Sequence, residues 1–130
     1  MAHYFTREEA EALLPQISIV LLQIQDYQKV MQQKEEELDA LHALAMGNGH
    51  HLHLRINNMQ KELAEYIQAL QELIDELSSF GCELKDPSIG LIDFISMRNG
   101  REIYLCWHLG EEHINFWHYP DAGFAGRQPI

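Results

Sequence analysis

Between Leu91 and Ile130, three side chains have the chemistry of metal ligands: Asp93, Glu111 and His118. Carboxylate oxygens and an imidazole nitrogen together suit iron, manganese or zinc. The chain has no HExxH motif and no helical ExxH pair, so spacing alone does not enforce ligation. The plainer reading gives these residues hydrogen-bonded structural roles, with Glu111 satisfying a turn and His118 a buried partner. Arg127, in GFAGR, completes a candidate ligand-binding set of Asp93, Glu111, His118 and Arg127; its guanidinium suits an anion, or else one of the chain's surplus carboxylates. Cys106 beside His108 or His118 has the makings of a nucleophile and base. Consecutive strand residues point to opposite faces, however, so the sequence brings neither ring within reach. His50, His51 and His53, with His42 about two helical turns earlier, present imidazoles to a transition metal. A glycine-flanked tip offers them no supporting shell, and solvated histidines are the better reading.

The composition narrows what such groups can serve. The chain has 130 residues, enough for one domain with an ordinary core. Twenty acidic against nine basic residues give a formal charge of -11, which repels nucleic acid and anionic membranes. No basic leader followed by an apolar stretch opens the sequence, and no apolar run reaches the ~18 residues of a membrane span. The expected compartment is the cytoplasm, where Cys82 and Cys106, lacking CxxC spacing, are expected as free thiols.

The elements that must position the candidate residues divide into a helical part and a sheet. Thr6 with Glu9 forms a capping-box signature. From there Ala10, Leu13, Ile17, Val20, Ile24, Tyr27, Met31, Leu38, Leu41 and Ala45 recur in steps of three and four, with Lys34 as the polar interruption. Pro15 is expected to kink this helix or delay its regular start. After the Gly47-Asn48-Gly49 break, Ile56, Met59, Leu63, Tyr66, Leu70, Leu73, Leu77 and Phe80 repeat the stepping, and Gly81 supplies a stop. Two such stripes joined by a short connection predict a long antiparallel two-helix hairpin, coiled-coil-like, over residues 6–81. If continuous from Arg7 to Ala45, the first helix would be about 58 Å long. Leu14, Leu21, Leu22 and Val30 widen its apolar arc beyond what one partner helix covers. The excess predicts packing against the C-terminal sheet or a homodimer, which Leu21→Glu with Ile24→Glu would split.

GCELKDPSIG reads as a loop. Asn99-Gly100 signals a type I′ hairpin turn, and with the run from His113 to Tyr119 it predicts a three-stranded antiparallel β-meander over residues 89–119, followed by a tail, 120–130. A two-residue turn pairs Arg98 with Arg101 and Asp93 with Cys106. A second turn over Leu109 to Glu112 would pair Cys106 with Asn115, placing Phe116 and His118 on the core face. Trp117 would then join Asp93, Tyr104 and Cys106 on the opposite face. A shift of one residue there would swap His118 and Trp117.

FTREEAEALLP at the start, GCELKD followed by GLIDF, and YLCWHLGEEHINFWH with GFAGRQP at the end resemble the uncharacterised bacterial family known as domain of unknown function 2203 (DUF2203). The likeness covers nearly the whole chain. It implies no activity; it marks Asp93, Cys106, Trp107, Gly110, Glu111, Trp117, His118, Gly123 and Arg127 as the positions that match the family's motifs. The expected fold is α+β. The expected function is a non-enzymatic, self-associating interaction or scaffold protein. The alternative is a small metal- or ligand-binding protein, or a metal-dependent enzyme, with its site in the C-terminal motifs. No cofactor is firmly implied.

Overall fold

The capping box forms as the sequence dictates. The Glu9 N–H donates to Thr6 Oγ1 at 3.1 Å, and Glu9 Oε1 accepts from the Thr6 N–H at 2.9 Å, so two donors at the helix start are satisfied reciprocally. A computed structural model describes residues 3–48 and 50–130, and for Asn48 and His50 the backbone only. In it α1 spans Arg7–Asn48, about 63 Å at the α-helical rise, with Pro15 inside it. Gly49, part of the expected break, lies outside the described residues. A 3-10 turn at His50–Leu52 leads into α2, His53–Ser79.

Successively later positions of α1 meet successively earlier ones of α2. Tyr27 and Tyr66 stack edge-on with centroids 5.5 Å apart, Lys34 Nζ bonds Glu62 Oε2 at 2.9 Å, and Leu41 clusters with Ile56 and Met59. Lys34, the polar interruption of the seam, lies 5.6 Å from the Tyr66 ring. Its aliphatic stem can cover apolar surface while the ammonium reaches a carboxylate.

The sheet has five antiparallel strands in sequence order: β1 Cys82–Asp86, β2 Leu91–Arg98, β3 Arg101–Trp107, β4 Phe116–His118 and β5 Gln128–Pro129. The expectation of three is corrected at both edges. CELKD, read as loop, pairs with β2 and turns Cys82 and Leu84 toward the core. The tail returns to pair Gln128 with Trp117 and Pro129 with Phe116. The hairpin turn is as expected, with Asn99 (φ 51) and Gly100 (φ 77) both left-handed and Arg98 opposite Arg101.

The third predicted strand is shorter than expected and shifted by one residue: Cys106 faces Phe116, and Tyr104 faces His118. The cause is the connection, which is a pinned loop over residues 108–115 and not a four-residue turn. Glu11 of α1 accepts the Ile114 N–H at 2.9 Å, Arg7 donates to Asn115 Oδ1, and Ile114 is fully buried. These tertiary anchors, invisible to turn rules, set where β4 begins.

One core joins the helices to the sheet. Leu14, Ile17, Leu21 and Ile24 of α1 and Leu77 of α2 pack with Ile92, Phe94, Leu105, Trp107 and Trp117. Much of the wide apolar arc of α1 is thereby covered within the chain. Leu21 and Ile24 are fully buried in it and cannot be surface residues of a dimer interface. Leu22 remains exposed. Among the described residues, no helix is long and apolar enough to cross a membrane.

Candidate functional site

Strand alternation puts every second residue on the face away from the helices. There Asp93 of β2 sits directly across from Cys106 of β3, and β4 adds His118 opposite Tyr104. Because β4 is shifted by one residue, Trp117 joins the core while His118 joins Asp93, a reversal of the expected faces.

Asp93, Cys106 and His118 are 3%, 1% and 2% exposed. Their potential ligand atoms all lie within 4.8 Å of one another. His118 Nε2 is 3.0 Å from Asp93 Oδ2, and its Nδ1 is 2.7 Å from the Tyr119 carbonyl oxygen. A carbonyl oxygen only accepts, so Nδ1 carries a hydrogen. A single proton then lies between Nε2 and Oδ2 and holds the pair together away from water. The other carboxylate oxygen, Asp93 Oδ1, is buried and reached by no N–H or O–H donor, while the Cys106 thiol, a weak donor, bonds the Asp93 carboxylate. Burial, and next the charge of Asp93, push the Cys106 thiol up to about 12. At neutral pH it is a protonated thiol and not the activated nucleophile that one reading of the sequence allowed.

A cavity of about 150 Å³ opens beside this cluster, lined by Lys85, Leu91, Asp93, Tyr104, His118, Pro120, Gly123 and Phe124. Lys85 lies over the Tyr104 ring at 5.5 Å and bonds Glu83 at 2.8 Å, holding an ammonium at the edge of the site. Pro120, Gly123 and Phe124 belong to the C-terminal tail. The tail is tied down by Arg127, which donates to Glu111 Oε2 at 2.7 Å and stacks over Phe116 and Phe124 at 3.8 and 4.8 Å.

The predicted residues thus divide into two pairs. Asp93 and His118 come together, with Cys106 as their third member; Glu111 is outside that cluster and pairs with Arg127. Both Glu111 carboxylate oxygens are occupied, Oε1 by the His108 N–H at 3.0 Å and Oε2 by Arg127, while its carbonyl accepts the Trp107 indole N–H at 2.9 Å. The ligand trio of Asp93, Glu111 and His118 is therefore not assembled. Cys106 is legible in the sequence as the cross-strand partner of Asp93, but the expected ligand set has Glu111 in its place and puts His118 on the other face. Tyr104 lies on the face the sequence predicts for it, beside Asp93 and Cys106, whereas Lys85 carries no sequence signal because CELKD reads as loop.

Arg127→Ala should leave Glu111 without its cation and loosen the tail, at about 1 to 3 kcal/mol for the unsatisfied partner. The Ile130 N–H, which donates to the Asn115 carbonyl at 2.8 Å, should exchange faster with deuterium than in the parent. Unchanged protection would mean that β5 pairing alone holds the tail.

In the comparisons, the family described as "Uncharacterized conserved protein (DUF2203)" matches residues 3–130. No curated protein and no solved structure matches the chain.

Proposed function

The chain belongs to the DUF2203 family of uncharacterized conserved proteins, and since that membership supplies no activity, we propose from the site itself that it is a small ligand-binding protein whose ligand sits on the outer face of the sheet beneath the C-terminal tail. The observation that carries this reading is a buried Asp93–His118 pair opening on a cavity, with one carboxylate oxygen that no N–H or O–H donor reaches. A buried acceptor left without a donor costs on the order of 1 to 3 kcal/mol, and one served at most by a weak thiol donor keeps part of that cost, which a bound ligand would remove. Small binding sites commonly combine apolar walls with a few converging polar groups, as Leu91 and Phe124 do here with Asp93, His118 and Tyr104. Untagged protein weighed intact under non-denaturing conditions should carry a small adduct, and His118→Ala should lose it. A bare mass in the parent protein would overturn the reading.

Self-association as an interaction or scaffold protein is the second reading, with α1 and α2 as an antiparallel hairpin that a second copy completes into a bundle. It is favoured by Leu22 and Ile67, 53% and 54% exposed on the two helices. Under this reading the chain sediments as a dimer at high micromolar concentration, and Leu22→Glu with Ile67→Glu yields a folded monomer. A parent chain that is monomeric at that concentration removes it.

A further inference from the structure

We propose that the ligand of this site is a divalent transition-metal ion of the zinc class, held by the Cys106 thiolate, the His118 imidazole and the Asp93 carboxylate, with an open coordination position facing the cavity. The inference rests on the binding reading above and specifies its ligand.

Three independent features converge on it. The first is the donor set. Thiolate and imidazole are the ligands that favour zinc over the hard cations calcium and magnesium, and a carboxylate oxygen is a common third. The second is orientation. His118 donates Nδ1–H to the Tyr119 carbonyl at 2.7 Å, which fixes the ring and turns Nε2 toward Asp93 and Cys106. A backbone acceptor behind a histidine is the support that ligating imidazoles commonly receive. The third is the Asp93 carboxylate, on a side chain 4% exposed, whose Oδ1 no N–H or O–H reaches, the neighbouring Cys106 thiol being only a weak donor. An ion on this carboxylate would supply the strong positive partner that a thiol does not.

Charge and distance are consistent with this occupant. A thiolate and a carboxylate carry two negative charges, which a divalent ion cancels, so the occupied site is neutral and its burial is no longer costly. Donor atoms around a tetrahedral zinc lie about 3.3 to 3.6 Å apart, given bonds of about 2.0 Å to nitrogen or oxygen and 2.3 Å to sulfur. His118 Nε2 and Asp93 Oδ2 are already at 3.0 Å, and the cluster extends to at most 4.8 Å. A contraction within the cluster of no more than about 1.3 Å therefore completes the site. In the metal-free state the proton between Nε2 and Oδ2 holds the place of the ion. Binding displaces that proton and the Cys106 thiol proton to the buffer, and no electron is transferred.

Three protein ligands leave a tetrahedral ion one position short. The cavity lined by Tyr104, Lys85 and Phe124 lies beside the cluster, so the fourth position is open to water or to a small ligand, the arrangement of exchangeable rather than purely structural zinc.

The test titrates metal-free protein with Co²⁺ and then Zn²⁺, in a background where His50, His51 and His53 are Asn, so that the helix connection cannot bind. Equimolar binding is expected, with a thiolate-to-cobalt charge-transfer absorption that Zn²⁺ abolishes. Cys106→Ser should remove that absorption, and His118→Ala should weaken binding more than about 100-fold, beyond what loss of an outer-shell partner produces. Cys82→Ser, a thiol buried on the helix side of the sheet, should bind as the parent does; circular dichroism checks that each variant is folded. No saturable binding, or binding indifferent to Cys106→Ser in a folded variant, overturns the metal assignment. If the same protein nevertheless carries an organic adduct lost in His118→Ala, only the metal falls and the binding site stands; if it carries neither, both fall.

Discussion

His118→Ala, measured on protein stripped of metal by chelation, should lower the unfolding free energy by about 3 to 5 kcal/mol, read as a shift of the denaturant midpoint at unchanged slope. The ring removed is the imidazole partner of Asp93 Oδ2, and the Asp93 side chain has 4% of its surface in contact with solvent. A carboxylate left there with only the weak Cys106 thiol donor and the Lys85 ammonium at the edge of the site bears a desolvation penalty that its attraction to His118 formerly offset. Asp93→Leu in the same background should recover most of the loss, because two apolar side chains in place of a buried ion pair are often neutral or stabilising. A double variant as unstable as the sum of the single ones would mean that the two residues act separately, and the shared proton would lose its support. Chelation matters: a bound ion adds stability in proportion to the logarithm of its concentration over its dissociation constant, and would enlarge the effect of the substitution for a different reason.

The route from sequence to this site shows which signals were local and which were not. Capping at Thr6, the Asn99-Gly100 turn and the pairing of Asp93 with Cys106 all depend on residues close in the chain, and each forms as the residue types dictate. The position of His118 depends on the length of the 108–115 connection, which Glu11 and Arg7 fix from the far end of the chain. No turn rule carries that information, and in a strand an error of one residue exchanges the faces. That is why the sequence places Trp117 and not His118 on the face of Asp93 and Cys106. The two edge strands were missed for another reason. CELKD has only Cys82 and Leu84 to mark its inner face, and Gln128–Pro129 is too short to show any period. Both are strands because the neighbouring edge is free to pair, a property of the finished sheet.

The breadth of the apolar arc on α1 had two explanations, a docked sheet or a second chain, and they make opposite predictions for one variant. Were the arc an interface between copies, Leu21→Glu with Ile24→Glu would give a folded monomer. Both residues are fully buried in the core shared with Ile92, Phe94 and Leu105. Each substitution removes a core side chain, at about 2 to 5 kcal/mol for the lost packing, and adds a carboxylate that must lose its hydration or force the helix off the sheet. Together they should exceed the roughly 5 to 15 kcal/mol by which domains of this size are stable. The expected product is therefore an unfolded or aggregated chain, seen as loss of tryptophan near-ultraviolet dichroism from Trp107 and Trp117, whose rings lie in the same core. Leu22→Glu, one position from Leu21 but on the exposed side of α1, should change stability by no more than about 0.5 kcal/mol. A folded, soluble double variant of Leu21 and Ile24 would mean that α1 does not lie on the sheet through these residues.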